Sequence, residues 1–132
     1  MRDETRQWLK YAGENLESAK VLKESRLFNP CLQNIQQSVE KSLKSILIES
    51  SLKLKRTHSI TELRNKLRDN SIRVDLDDEE CEFLDSIYLP SKYPLGSALP
   101  EFEPYDELCE SGIDIAEKVY AEIKGYLDNH LY

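Results

Sequence analysis

The feature that most constrains the fold of this chain is an apolar stripe between residues 32 and 46. It consists of five aliphatic residues at intervals of three and four: Leu32, Ile35, Val39, Leu43 and Ile46. This spacing places their side chains on one face of an α-helix, and that face is wide enough to cover a core. We therefore predict a long amphipathic helix that ends at about Ser50.

A helix of similar length precedes it, from about Asp3 to Ser25. Its predicted inner face consists of Trp8, Tyr11, Ala12, Ala19 and Leu22, flanked by Leu9 and Leu16. Residues 27–30 make a short reversal, in which Asn29 is the predicted N-cap of the second helix and Pro30 its first residue. Two long helices joined by so few residues pack antiparallel.

Three more helices are predicted beyond this hairpin. Ser59-Ile60-Thr61-Glu62 fits a capping box and starts a third helix that ends at about Asp69. Asp77 or Asp78 caps a fourth helix, with its inner side formed by Cys81, Leu84, Ile87 and Tyr88. The last helix runs from about Tyr105 to Asp128, with a stripe of Leu108, Ile115, Val119, Ile123 and Tyr126 and with Gly112 at a close crossing.

Residues 89–104 contain four of the five prolines and are predicted as an ordered loop rather than a helix. No apolar run alternates with the period of a strand. The predicted fold is therefore all-α: an up-and-down antiparallel bundle of four to five helices with an ordered Pro-rich loop before the last helix. At 132 residues it forms one domain over residues 1–132.

Composition limits the class of protein. No apolar run is long enough to cross a membrane, and the charged N-terminus does not resemble a secretion signal, so we expect a cytoplasmic protein without membrane contact. Three widely spaced cysteines without a C-x-x-C pair, and only two histidines, predict reduced thiols packed on helices. We predict no metal site and no cofactor.

Basic residues are concentrated between residues 41 and 73. This basic segment holds nine lysines and arginines and three acids, although the whole chain carries a net charge of −7. It is either a solvated surface or an electropositive patch for phosphate, RNA or an acidic partner.

A polar ridge lies opposite the apolar stripe on the second helix. It consists of Gln37, Glu40, Lys41 and Lys44, which we predict to face outward as part of a ligand site. A third edge carries the small residues Ser38, Ser42 and Ser45, where another helix could approach closely. At the border of the stripe, Gln36 could pair with its counterpart across a two-fold axis.

Two further polar residues are candidates for the same site. Asn15 interrupts the inner face of the first helix, either as an amide bonded across a helix interface or as part of a polar pocket. His58 precedes a helix N-terminus, either as a structural hydrogen-bonding group or as a contact for a phosphate together with Lys55 and Arg56.

Four motifs in order along the chain resemble HEPN domains, the nucleotide-binding helical domains of higher eukaryotes and prokaryotes. They are Ala-x-x-Asn-Leu-x-x-Ala (12–19) in a helix that carries Trp8, Gln-x-x-Glu-Lys-x-Leu-Lys (37–44), Thr-His-Ser-Ile (57–60) and Tyr-Leu-Pro-Ser-Lys-Tyr-Pro (88–94). The resemblance implies a helical bundle, usually a homodimer, and in prokaryotes often a minimal nucleotidyltransferase as partner in a toxin–antitoxin-like pair. The implied ligand residues are Asn15, Gln37, Glu40, Lys41, Lys44, His58, Tyr88, Lys92 and Tyr93.

Many HEPN proteins are ribonucleases that use an arginine, a spacer of four to six residues and a histidine. Arg56 lies only two residues before His58, and Lys92 stands where the loop motif commonly has arginine. We therefore assign no catalytic residue, keep His58 as a candidate, and expect a non-catalytic module that binds a nucleotide, RNA or the partner nucleotidyltransferase. The alternatives are a metal-independent ribonuclease that uses His58, and a homodimeric interaction protein without a small ligand.

Overall fold

The structure is a computed structural model that describes residues 1–54, 56–92 and 106–129, with the backbone alone for residues 88–92. Within these ranges it contains helices and no strand, so the predicted all-α class is confirmed. The helices are α1 (Asp3–Glu24), α2 (Phe28–Glu49), α3 (Ile60–Asp69), α4 (Asp78–Lys92) and α5 (Asp106–Asn129).

The central element is α2, which packs against each of the other four helices. All five residues of its predicted stripe are at most 1% exposed. Three contacts show that α1 and α2 are antiparallel, because they join Thr5 to Glu49, Ala12 to Ser38 and Ala19 to Cys31. The predicted hairpin is confirmed.

The first three helices end in the same way. Each has a residue with positive φ just after its C-cap: Arg26, Ser51 and Ser71. In each case the next residue is aliphatic, and its N–H bonds to the carbonyl of a leucine five residues earlier, as in Leu27 to Leu22. These are Schellman motifs, which satisfy the last carbonyls and turn the chain back toward the core.

The helix starts differ in detail from the prediction. Asn29 is not an N-cap, because α2 already begins at Phe28 with Leu27 as a cap that makes no side-chain bond. Pro30 still lies in the first turn, where backbone N–H groups lack helical partners. Ser59 Oγ accepts from Glu62 N at 3.2 Å as predicted, but the N–H of Ser59 bonds to Thr57 rather than to Glu62.

At α4 the predicted cap is confirmed and the predicted end is wrong. Asp77 Oδ1 accepts from Glu80 N, and Glu80 Oε1 accepts from Asp77 N, which makes a complete capping box. The helix was expected to stop before Leu89, yet it continues through Pro90 to Lys92. Proline removes one helical hydrogen bond, and here the helix continues for two residues beyond it. Residues 93–105 lie outside the described residues.

Two predicted inner faces are rotated in the structure. On α1 the buried line is Thr5, Leu9, Ala12, Leu16 and Ala19, whereas Tyr11 is 48% exposed. On α5 the buried line is Cys109, Gly112, Ile113, Ala116, Val119, Ile123 and Leu127, and Tyr126 is largely outside it. Small residues face α2 here, and a Cβ on Gly112 would lie 2.8 Å from Ile35, which confirms the close crossing.

The three cysteines are buried free thiols, as predicted. Burial raises the pKa of Cys31 to about 12 and that of Cys81 to about 11, which keeps both protonated. Across the described ranges, no helix is both long and apolar enough to cross a membrane.

Candidate functional site

The predicted polar ridge of α2 is not an outer surface. Glu40 is 3% exposed and Lys44 is 8% exposed, because α1 and the segment before α3 pack over them. The expectation that these groups point outward is therefore wrong. A buried charge is stable only when it is paired and hydrogen-bonded, so the partners of Glu40 determine what this region can do.

Three donors surround the Glu40 carboxylate. Lys44 Nζ lies 2.8 Å from Oε2, and Gln36 Nε2 lies 3.2 Å from Oε1. His58 Nδ1 approaches the same Oε1 at 3.0 Å. The carboxylate thus joins two turns of α2 to the segment that precedes α3. We call Gln36, Gln37, Glu40, Lys44 and His58 the Glu40 network.

The network is anchored by a main-chain contact at His58. Gln36 Nε2 donates to the carbonyl oxygen of His58 at 2.9 Å, and Gln37 donates to Gln36 Oε1. Gln36 is fully buried, which contradicts the expectation that it pairs across a two-fold axis. Its amide instead fixes the entry of the chain into α3.

The orientation of the His58 ring follows from its partner. An ionised carboxylate only accepts, so Nδ1 carries the hydrogen in this contact. The side chain is 54% exposed. His58 therefore reaches the surface while it remains attached to a buried acid.

Beside the network, a second set of contacts links α1 to α2. Lys41 Nζ donates to Asn15 Oδ1 at 2.9 Å, and Asn15 Nδ2 donates to Asn34 Oδ1 at 2.9 Å. Asn15 is therefore an amide bonded across the helix interface, the first of its two predicted roles. The ammonium groups of Lys41 and Lys44 lie 5.8 Å and 5.7 Å from the ring centres of Tyr11 and Trp8.

The serine edge packs inside the chain. Ser38 Oγ donates to the carbonyl oxygen of Ala12 at 2.8 Å, where the two helices approach closely. Ser45 Oγ donates to the carbonyl oxygen of Ser42, and Ser42 Oγ has no hydrogen-bond partner within the described ranges. All three serines are fully buried. The predicted close approach is therefore made at Ser38 by α1 of the same chain.

The N-terminus of α3 holds a carboxylate that sequence reasoning missed. Asp85 of α4 accepts from Ile60 N at 2.6 Å and from Thr61 N at 3.2 Å, and it also accepts from the hydroxyls of Ser59 and Thr61. A helix N-terminus attracts anions, and here the chain supplies its own. A phosphate beside His58 would not find these donors available.

The family of the chain follows from comparison with known proteins. The model of the HEPN domain matches residues 5–126. This range includes all five helices except the first residues of α1 and the last residues of α5. The chain belongs to the HEPN domain family. Among curated proteins no significant match was found.

Solved structures share this HEPN fold. TT1696 from Thermus thermophilus has a TM-score of 0.77 and 24% identity, and the match covers 94% of this chain and 98% of that one. ST0689, an archaeal HEPN homologue, has a TM-score of 0.69 at 26% identity, with 96% and 98% covered. An HEPN domain protein from Thermotoga maritima, TM0613, has a TM-score of 0.68 at 20% identity, with 92% and 98% covered.

Within this HEPN domain, six of the nine predicted ligand residues lie together: Asn15, Gln37, Glu40, Lys41, Lys44 and His58. For Tyr88 and Lys92 only the backbone is described, and Tyr93 lies outside the described residues. No group of three or more metal-ligating side chains occurs among the residues with described side chains.

Proposed function

We propose that this HEPN domain, taken as one unit over residues 1–132, is a non-catalytic module that binds a nucleotide. Its ligand surface is the partly exposed border of the Glu40 network, formed by Tyr11, Gln37, Lys41 and His58. The resemblance to nucleotide-binding HEPN domains supports this reading. The partner nucleotidyltransferase of a toxin–antitoxin-like pair is the other occupant that this surface could take.

The observation that carries the proposal is the position of Lys41. Lys41 is half-buried, and its ammonium lies 2.9 Å from Asn15 Oδ1 and 5.8 Å from the Tyr11 ring centre. A lysine ammonium has three donors, and one is used here. A positioned cation beside a half-exposed aromatic ring suits a phosphate and a base, because aromatic rings stack on any base.

The same geometry disfavours catalysis by Glu40. Its carboxylate already accepts from three donors and is buried. Lys44 is paired with it at 2.8 Å, so this cation is not available to a transition state. Neither group is placed to exchange protons with a substrate.

Titration calorimetry with ATP, GTP and a short RNA tests the proposal. Lys41→Met should weaken nucleotide binding at least about tenfold, because it removes a charge-assisted hydrogen bond. Lys10→Met is the matched control, since Lys10 is exposed on α1. The absence of heat with all three ligands at high concentration would overturn nucleotide binding.

A specific observation favours one other function. His58 Nδ1 is bonded to a buried carboxylate at 3.0 Å, which is the arrangement that orients a histidine general base. His58 would then take the proton of an RNA 2′-hydroxyl as that oxygen bonds to the adjacent phosphorus, and the P–O5′ bond would break with the 5′-oxygen taking a proton from water. Arg56, two residues away in the sequence, would stabilise the phosphorane charge. This metal-independent ribonuclease requires cleavage of RNA by the purified protein and its loss in His58→Ala.

A homodimer is the third proposal, and it is compatible with either activity. Val21 is 64% exposed and Leu27 is 51% exposed, both in the hairpin of α1 and α2. These two exposed aliphatic side chains are where a second copy of the chain would bind. Light scattering should give the mass of two chains, and Val21→Glu should shift it to one. A monomer at micromolar concentration would overturn this proposal.

A further inference from the structure

A cavity of about 250 Å³ lies where α3 ends and the chain turns toward α4. Three arginines and two aliphatic residues line it: Arg64, Arg68, Arg73, Val74 and Leu76. The arginines belong to the basic segment. None of them is part of the Glu40 network or of the proposed nucleotide surface, which includes Tyr11 and Lys41. This arginine cavity is therefore separate from the site proposed above.

Arg64 forms the fixed wall of the arginine cavity. Arg64 is 6% exposed, and its guanidinium bonds to Asn65 Oδ1, the Leu76 carbonyl oxygen and Asp78 Oδ1, the last at 2.6 Å. A guanidinium has five N–H donors, and four hydrogen bonds are formed, so one N–H of Nη1 remains. Asp78 neutralises the charge of Arg64, but it does not accept a hydrogen bond from this remaining N–H.

Arg68 and Arg73 give the wall of the arginine cavity its net positive charge. Both are exposed, and Arg68 Nη2 is oriented by a 3.0 Å hydrogen bond to Asn65 Oδ1. Arg73 makes no ion pair with any described residue. Neither arginine thus forms an ion pair with the described residues, although the charge of Arg68 also acts on the nearby Asp78.

The acids nearest in sequence are occupied elsewhere or lie off the wall. Asp75 Oδ2 lies 3.8 Å from Lys118 Nζ, and Asp77 caps α4. Asp69 is exposed at the end of α3 and does not line the cavity. Asp78 is turned to Arg64, and its pKa is lowered mainly by the hydrogen bond to that guanidinium.

We propose that the arginine cavity binds a single phosphate group. A phosphate monoester carries a charge of about −1.5 to −2 at neutral pH, which matches the two exposed arginines. One guanidinium group can donate two parallel hydrogen bonds to two oxygens of a phosphate. The remaining N–H of Arg64 can add a further hydrogen bond to those from Arg68 and Arg73. The cavity is smaller than the roughly 300–1,000 Å³ of whole-ligand pockets, which suits a small anion better than a whole nucleotide.

The proposal does not depend on nucleotide binding at Lys41. The cavity lies at the C-terminal end of α3, and His58 lies before its N-terminus, which is about 15 Å away along a helix of ten residues. The donors at that N-terminus are taken by Asp85, whereas Arg68 and Arg73 line the cavity.

Nuclear magnetic resonance with inorganic phosphate tests the site. Amide signals of residues 68–74 should shift on titration, and Arg73→Gln and Arg68→Gln should each weaken the binding about tenfold. Arg6→Gln is the matched control, because Arg6 is an exposed arginine on α1 and its loss changes the net charge equally. Unchanged binding in both cavity variants, or equal weakening in Arg6→Gln, would overturn the proposal.

A second experiment, with a short single-stranded RNA, distinguishes a backbone phosphate from a free phosphate group as the ligand of the cavity. If the cavity holds a backbone phosphate, Arg73→Gln should lower the salt dependence of RNA binding by about one ion. If it holds a free phosphate group, RNA binding in Arg73→Gln should not change while phosphate binding is weakened. Lys41→Met should leave phosphate binding at the cavity intact, so failure of the nucleotide proposal is distinguishable from failure of this one.

Discussion

The two ends of the basic segment differ in what their cations contact. At the α2 end, Lys44 is held inside the chain by the buried Glu40 carboxylate and the Trp8 ring. At the α3 end, Arg68 and Arg73 lie exposed around a cavity. The same excess of positive charge therefore supports the interior in one place and is available to a ligand in the other.

The role of each cation is decided by the burial of its partner. Lys44 faces an acid that is itself buried, so removal of either group leaves an unpaired charge in a medium of low dielectric constant. Arg73 faces water, so its removal leaves nothing uncompensated. Charge pattern in the sequence does not distinguish these cases, and the experiments below do.

The largest effect is expected for Glu40→Leu. It leaves the Lys44 ammonium buried without its counter-ion and should lower the free energy of unfolding by about 3–5 kcal/mol. Urea unfolding followed by circular dichroism measures this loss. Gln33→Leu, an exposed change on the same helix, is the control and should have little effect.

A double variant sharpens this prediction. Glu40→Leu combined with Lys44→Met replaces the buried ion pair with apolar groups and should recover most of the lost stability. If the double variant is as unstable as Glu40→Leu, Glu40 acts through its bonds to Gln36 and His58 rather than through Lys44.

The next effect concerns Asp85, which lies between the two regions. Asp85→Ala removes the acceptor for the first donors of α3 and should lower the free energy of unfolding by about 2 kcal/mol. Glu82→Ala, an exposed acid on the same helix, should change it by less than about 0.5 kcal/mol. Equal losses in these two variants would contradict the capping role.

A smaller effect is expected from pH at the arginine end. The hydrogen bond from Arg64 lowers the pKa of Asp78 below its ordinary value of 3.8. A group with a depressed folded-state pKa stabilises the protein above its unfolded pKa, and this stabilisation is lost as the pH falls through the folded value. The stability difference between the wild type and Asp78→Asn, measured from about pH 5 to pH 2, should therefore shrink toward low pH.

The smallest effect is expected for Arg73→Gln. Its side chain is exposed and makes no ion pair with the described residues, so the free energy of unfolding should change by less than about 0.5 kcal/mol. Thermal unfolding at neutral pH measures it. A loss as large as that of Glu40→Leu would mean that the arginine cavity is a structural element and would remove the contrast between the two ends.

Much of the fold could be predicted from periodicity and capping. The aliphatic residues of α2 and α3 and the first turn of α4 lie where their spacing placed them. The errors arose where periodicity is ambiguous. On α1, the spacing of Trp8, Tyr11 and Leu22 predicts a face that is rotated from the buried line, which runs through Leu9 and Leu16. At α4, the prolines predict an end before Leu89, although a helix can continue past a proline near its end.

A polar residue within an apolar stripe indicates a buried hydrogen bond to another segment of the chain. Gln36 lies four residues after Leu32, Arg64 four after Ile60, and Asp85 four after Cys81, each on the inner face of its helix. All three side chains form hydrogen bonds to another segment of the chain. Such a position predicts a buried polar partner, but it does not name the partner.

The identity of each partner could not be predicted, because it depends on how distant segments pack. Nothing near Glu40 in the sequence indicates that His58 will approach it from the start of α3. Likewise, Asp85 meets Ile60 and Thr61 only because α4 crosses the N-terminus of α3. Local sequence specifies that a polar group needs a contact, and the tertiary arrangement supplies it.

The Schellman motifs that end α1, α2 and α3 offer positions where a substitution can raise the thermal stability of the protein. Arg26, Ser51 and Ser71 each adopt a left-handed backbone that glycine accepts without the steric penalty of a β-carbon. None of the three belongs to the Glu40 network or lines the arginine cavity. Glycine at these corners offers a way to raise the melting temperature of the bundle, so that damaging substitutions at either binding surface can be studied in a host that still folds.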